Sequence, residues 1–434
     1  MGICPVTQVQ SGVTAYVYTS NIRHKERKQR VEIVNTIAMG APVEVHQPPE
    51  GSLDSRAKTV AAVAARQAAE VDTQSRFPQE AFEAARAQRL LGILVPASLG
   101  GEGASIAQVA DVCFRLGQAC ASTGMIYAMH QVKVACLVRH RHDSASIDGV
   151  LRRLCAEQLL LASSTTEGQA GGNVRSSEAA AVYEGDRVTL ERQATCISYG
   201  AAADGIVTTA RRSADAPGSD QVLIAFLKED YTLTQIQTWD TLGMRGTCSI
   251  GYVLRGNAPQ GQVMPEPYES IHRRTMVPFA HILWGSVWAG VATAAVAKAQ
   301  AFVRAAARKS GGQMPPGATQ LGKAMYTLRT LRATLRDAMR RYESVMDDPK
   351  ILDSIEFQSQ ITLVKVEASE LAVAAVLATL RVCGLSGYRS DTEFSLERHV
   401  RDILSSPLMI NNDRILSSFT TTAMMAPIAG VLSE

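Results

Sequence analysis

The sequence predicts an α+β chain, mostly α, in which one β segment is enclosed between two helical ones. Three observations predict it. From Ser55 to about Arg152 apolar residues recur at spacings of three and four. Between about Leu159 and Pro259 they give way to short β-type runs cut by Gly and Asp-Gly, and from Pro267 onward the helical spacing returns. The chain divides accordingly into a tail (1–50), an N-terminal helical domain (51–158), a middle β domain (159–262) and a C-terminal helical bundle (263–434).

The tail sustains no helical period. It mixes β-branched residues with a basic cluster from Arg23 to Arg30 and the loop-like Gln47-Pro48-Pro49-Glu50-Gly51. It reads as disordered, with Met39 opening a plausible shorter chain. The run SRAKTVAAVAARQAAEVD is rich in Ala and straight-chain residues, which lose little rotamer freedom in a helix. A second helical run, FPQEAFEAARAQRLLGILVP, stops at Pro96, and Gly100, Gly101 and Gly103 supply a turn. ASIAQVADVCFRLGQACASTGMIYAMHQVKVACLVRH then reads as two buried helices. The β runs are QLLLASSTT, AAAVYEG, RVTLERQATCIS, GIVTTARR, QVLIAFLK and YTLTQIQTW, as in an antiparallel barrel or sandwich. Four long helical segments, about 268–309, 317–347, 354–384 and 395–424, suffice for a four-helix bundle.

Composition narrows the class of partner. Of 434 residues 46% are apolar and 20% charged, ordinary for a globular enzyme, and the net charge of +3 leaves no broad basic field for nucleic acid or anionic lipid. The eight cysteines, at 4, 113, 120, 136, 155, 196, 248 and 383, include no CxxC pair. They read as reduced thiols of a cytoplasmic protein rather than metal ligands or a disulfide framework. No uninterrupted apolar run reaches the roughly 18 residues of a membrane helix. The nearest, Val277 to Ala297, contains His281 and reads as a buried core helix. The N-terminus lacks the apolar stretch of a secretory signal.

Five segments, in order, resemble the acyl-CoA dehydrogenase family over residues 55–424. LLGILVPASLGGEG is similar to the loop after its early helices, and LLASSTTEGQAGGNV to T-E-P-G-A-G-S-D at the start of its β domain. QATCISYGAAADGIVTTAR resembles its W-I-T-N-G strand, DTLGMRGTCS its L-G-M-R-x-S-x-T, and VCGLSGYRSDTEFSLERHVRD its G-G-x-G-Y … E-R-x-x-R-D. The resemblance implies a homotetramer, or a dimer of that type, with one FAD per subunit between the β domain and the bundle, and an electron acceptor protein as possible partner. It implies that Thr166 and Thr165 meet the flavin edge, where hydroxyls and free N–H groups suit the pyrimidine ring, and that Ser198 faces its N5. Cys196 stands where the family has a Trp. It further implies pyrophosphate contact by Gly384 and Gly387, and a cofactor contact across the dimer by Arg308, although the family's following Phe is absent. Gly172 and Arg245 fall on substrate-side segments.

The same register shows no catalytic carboxylate. The family's late Glu falls on Ile410, counted from Arg401-Asp402, and the alternative position on Ala280, counted from Gly290. His281, alone among apolar neighbours, and His130, in IYAMHQ, are the candidates to replace it, since imidazole can act as a base near neutral pH. Asn411 and Asn412 could bond a substrate amide or carbonyl. Two functions remain open. One is dehydrogenation of an acyl thioester, on CoA or a carrier protein, with a displaced base; the other is a flavin-dependent monooxygenase of the same fold, which needs no α-proton base. A flavin-binding homologue without redox turnover is the blander possibility.

Overall fold

The computed structural model describes residues 50–167 and 175–424. The expected tail up to residue 49, and Gly172, lie outside the described residues. Ser52 starts the first helix by accepting the Ser55 N–H at 3.2 Å, so one orphan donor of the first turn is satisfied. That helix, α1 (Leu53–Thr73), buries Ala57, Val60, Ala64, Ala68 and Val71, the spacing of three and four read in the sequence. Helix α2 (Gln79–Ala87) follows, and Ser105 with Gln108 forms a capping box ahead of α3 (Ile106–Ala119). Helix α4 (Ala121–His140) is buried almost all round, so it is the central helix of this half; α5 (Ala145–Glu157) closes it.

Among the described residues seven strands follow: β1 (Leu161–Ser164), β2 (Val182–Glu184), β3 (Arg187–Ile197), β4 (Gly205–Arg211), β5 (Gln221–Leu227), β6 (Tyr231–Gln235) and β7 (Ile250–Pro259). They form two sheets, β1-β4-β5 and β2-β3-β7-β6. Two features differ from the expected antiparallel set. β1 pairs with β4 in parallel, Leu161 opposite Gly205, because the chain enters the other sheet through β2 and β3 before returning. β7, which carries Gly251, Arg255 and Gly256 and was not among the β runs, is a central strand paired with both β3 and β6. A bulge in β3 between Ala194 and Ile197 re-aims Thr195 and Cys196.

The C-terminal half begins with α6 (Tyr268–Ile271), a π-helical turn over His272–Met276, and α7 (Val277–Lys309). This continuous helix is long and apolar enough to cross a membrane, but 89% of its most apolar stretch is buried inside the protein, so it is a core helix. It packs on α3 through glycines: a Cβ on Gly117 would meet the Val287 carbonyl oxygen at 2.4 Å, and one on Gly290 the Phe114 oxygen at 2.3 Å. Then come α8 (Ala318–Val345), α9 (Pro349–Leu352), α10 (Ile355–Cys383), α11 (Leu385–Tyr388), α12 (Glu397–Ile403) and α13 (Asn412–Ala423). The fourth long helix expected over 395–424 is therefore two short ones. Pro407 offers no N–H, Ile410 sits at φ +47°, and the Asn411 side chain restarts the helix by accepting the Asp413 N–H at 2.8 Å. The break turns 404–410 into a loop, and that loop forms one wall of the site.

Candidate active site

β1, the β3 bulge, α4, α7 and the 404–410 loop converge on a cleft of about 640 Å³, well inside the roughly 300–1,000 Å³ typical of cofactor and ligand pockets. Its β side is hydroxyl-rich: Ser163, Thr165, Thr166, Thr195, Ser198, Thr247 and Ser249 line it. Ser198 Oγ and Ser249 Oγ are 2.8 Å apart, Ser249 Oγ is 2.9 Å from Thr247 Oγ1, and Thr247 donates to the Met244 carbonyl at 2.8 Å. The opposite side is apolar, with Met125, Met129, Leu404, Leu408, Met409 and Ile410. Trp239 and Trp284 supply aromatic walls, and the buried Trp284 Nε1–H has no partner among the described residues, a donor left for something in the cleft.

A side cavity of about 80 Å³ abuts this cleft and shares Met129, Ser163, Thr165, Trp284 and Ile410 with it. Lys133, His272, Met276, Ala280 and His281 complete it. Burial lowers the Lys133 ammonium to about 8. His281 Nδ1 is 2.9 Å from the Ile361 carbonyl, so Nδ1 carries the proton and Nε2 is the acceptor; burial holds this imidazole down near 4. His272, on the π-turn, is lowered to about 3 by burial and by the positive charge of Arg175 and other neighbours. Among the described residues lining either cavity there is no Asp or Glu. A second buried lysine, Lys365, donates to the Ile410 carbonyl at 3.0 Å and to Asn412 Oδ1 at 2.6 Å, and so holds the left-handed turn at Ile410 against the cleft.

Two family descriptions match this chain: acyl-CoA dehydrogenase N-terminal domain over residues 52–157, and acyl-CoA dehydrogenase C-terminal domain over residues 282–405. The chain belongs to the acyl-CoA dehydrogenase family. It is an oxidoreductase of that family. A cyclohex-1-ene-1-carbonyl-CoA dehydrogenase of Geobacter metallireducens is 26% identical over 374 residues, 84% of this chain and 94% of the relative. A 3-sulfinopropanoyl-CoA desulfinase of Paraburkholderia xenovorans is 25% identical over 349 residues, 77% of this chain and 85% of its own. In fold, the FMN-bound dibenzothiophene monooxygenase TdsC of Paenibacillus sp. A11-2 superposes with a TM-score of 0.76 at 18% identity, covering 87% of this chain and 98% of that one.

Within this acyl-CoA dehydrogenase fold Thr165, Thr166 and Ser198 meet in the cleft, as do Cys196 and Ile410; His281 and Ala280 lie in the side cavity. Other candidates do not reach it. His130 is not a catalytic group: fully buried, it accepts the Leu161 N–H at Nδ1, 3.0 Å, and donates from Nε2 to the Leu91 carbonyl, 2.8 Å, so both ring nitrogens are taken by backbone. Arg245 does not face the substrate side either. Its guanidinium donates to the Asp72 and Thr241 carbonyls at 2.9 and 2.8 Å and ties the β7 approach to α1. Asn411 caps α13, and Asn412 turns inward to Lys365, Ser369 and Glu370. Arg308 is exposed at the end of α7, and the Gly384 turn, at φ +53°, is open; neither lines a cavity described here. Gly387 is explained within the subunit, since a Cβ there would come 2.6 Å from Cys383 Cβ. The residues that sequence reasoning missed are Lys133, Lys365 and Trp284. Each lysine was visible as a lone cation in an apolar helical run, HQVKVAC and TLVKVEAS.

Proposed function

We propose that the cleft holds a flavin, FAD by family resemblance, and that the enzyme oxygenates an organic substrate instead of desaturating an acyl thioester at a carboxylate base. The observation that carries this reading is chemical. Both positions that supply the family's base are occupied, by Ile410 and Ala280, and both side chains line the cavities. Removing an α-proton needs a base within hydrogen-bond reach and near the working pH; oxygenation does not. The residues present suit the flavin. Hydroxyls on β1 and the β3 bulge face the cleft, the Trp284 indole offers an unused donor, and apolar side chains from α4 and the 404–410 loop exclude water. When bound, the flavin supplies the two electrons of the reaction. Thr165, Thr166 and Ser198 would orient its polar edge, Ile410 would seal the opposite face, and His281, neutral at physiological pH, would present Nε2 as an acceptor to the substrate. Exposed Leu385 and Tyr388 beside Gly384, with Met314 and Tyr326, support self-association as a homodimer or homotetramer in which Gly384 and Arg308 meet a neighbour's cofactor. A cytoplasmic location is part of the same proposal.

A second reading is favoured by the curated acyl-CoA dehydrogenase relatives and by Lys133. With its ammonium lowered to about 8, its neutral amine form could accept a proton from an acyl thioester on CoA or a carrier protein, with an electron acceptor protein as partner. One experiment separates the two. The flavin-loaded enzyme is titrated anaerobically with a panel of acyl thioesters, then supplied with an NAD(P)H-flavin reductase system, oxygen and a panel of small organic substrates. No anaerobic bleaching together with oxygenated product supports the proposal; bleaching by a thioester overturns it.

A further inference from the structure

Among the described residues Lys133 is a buried cation without a counter-ion. It is 2% exposed, and the one hydrogen-bonding neighbour of its Nζ among the described residues is Met276 Sδ, at 3.6 Å. A thioether is a weak acceptor, whereas an ammonium carries three donors, so this geometry leaves most of its hydrogen-bonding capacity unused. A buried charge ordinarily comes paired, because an unpaired one loses its hydration without replacement. Here the surroundings offer the wrong sign. The described residues lining the side cavity include no carboxylate, and the charged side chains acting on the adjacent His272 are Arg175, Lys133 and Arg273, all cationic. Segment 168–174, Gly-Gln-Ala-Gly-Gly-Asn-Val, brings no carboxylate either. The cavity is bounded by the π-turn, α4 and α7, and it abuts the larger cleft through Ser163, Thr165 and Ile410.

We propose that the side cavity is an acid-group subsite: Lys133, with the neutral His272 ring beside it, seats the carboxylate or a similar oxyanion of a substrate whose body lies in the main cleft. This rests on the reading of the cleft as the substrate and cofactor site, and it names the substrate class, an organic acid. The small volume admits a terminal acid group rather than a second ring or chain. The apolar lining of Met129, Val132 and Val277 keeps water from competing for the ammonium. The carboxylate accepts from Nζ without displacing a protein anion.

The test uses the full chain and a matched pair of probes, hexanoate and hexanamide, which share one hydrocarbon body and end in a charged and an uncharged group. Two readouts are taken: the rise in thermal midpoint of the flavin-free protein, and perturbation of the flavin spectrum in the flavin-loaded protein. A charge-assisted hydrogen bond in a dry site predicts that hexanoate binds roughly 10- to 100-fold tighter than hexanamide. Lys133→Met should erase that preference while flavin affinity is unchanged; if Lys133→Met does not fold, Lys133→Gln carries the same comparison. Equal binding of the two probes, or a preference that survives loss of Lys133, overturns the proposal. So does equal protection by sodium chloride at the same ionic strength, which would assign the site to inorganic anions. Failure to bind flavin would sink the proposed function but leave the thermal comparison intact, so the two failures are distinguishable.

Discussion

His130 provides the sharpest division between a structural and a catalytic imidazole. Replacing it by Ala leaves the Leu161 N–H, at the start of β1, without its acceptor, whereas the Leu91 carbonyl keeps a donor in Gln131 Nε2 at 3.2 Å. One orphaned buried donor costs about 1–3 kcal/mol, and the lost bond to Leu91 about 1 more. The space left by the ring adds about 1–2, so His130→Ala should lose about 3–6 kcal/mol at pH 8. Acidity supplies a second signature. Burial lowers the His130 imidazole from an ordinary 6.5 to about 4; a proton on Nδ1 would also point at the Leu161 N–H. The unfolded chain therefore takes up a proton below pH 6.5 that the native protein refuses. The stability this neutral ring supports is present above pH 6.5 and lost as pH falls. Between pH 8 and pH 5 the loss attributable to this ring is about 2 kcal/mol, and it should vanish from the variant's pH dependence. Guanidinium unfolding of both proteins at the two pH values measures it. A variant that is as stable as wild type at pH 8, or that folds and binds flavin but has lost all turnover, would refute the structural assignment.

Three further outcomes are expected. Cofactor released from the purified protein should be FAD by mass spectrometry; FMN alone would remove the role given to Arg308 and the Gly384 turn. Ile410→Glu should confer anaerobic flavin bleaching by an acyl-CoA, with a rate gain of roughly 10²- to 10⁴-fold over wild type, the usual worth of a positioned base; a wild-type enzyme that already bleaches as fast would show that the carboxylate is not what is missing. Lys365→Met removes the ammonium whose two hydrogen bonds hold the Ile410 carbonyl and Asn412, and should cost about 2–4 kcal/mol in guanidinium unfolding together with weaker flavin binding; unchanged flavin affinity would mean that the turn at φ +47° keeps its place without Lys365.

Local pattern determined a large part of this protein. The change from spacing of three and four to alternation and back reports which segments can bury one face, and the helix, strand, helix order of the fold follows from it. The register from Arg401-Asp402 to Ile410 is short, so the absence of a carboxylate there was legible in the residues, and the structure places Ile410 in the cleft wall. The hydroxyls at 165, 166 and 198 were legible for the same reason. What tertiary structure alone decided is where each polar side chain finds its partner. His130 and His281 are both lone histidines on apolar helices. Yet His130 is consumed by backbone 31 and 39 residues away, while His281 has one bond, to Ile361, and keeps an acceptor in the side cavity. Asn412 sits one position after Ile410's capping neighbour and turns into the bundle because Lys365, 47 residues earlier, waits there. Periodicity states which face of a helix is buried, but not whether the groups opposite it are carbonyls, carboxylates or empty space. Lys133 shows why that matters: one cation in an apolar run is the same signal whether it is paired or not, and only packing reveals that nothing anionic among the described residues lines its cavity.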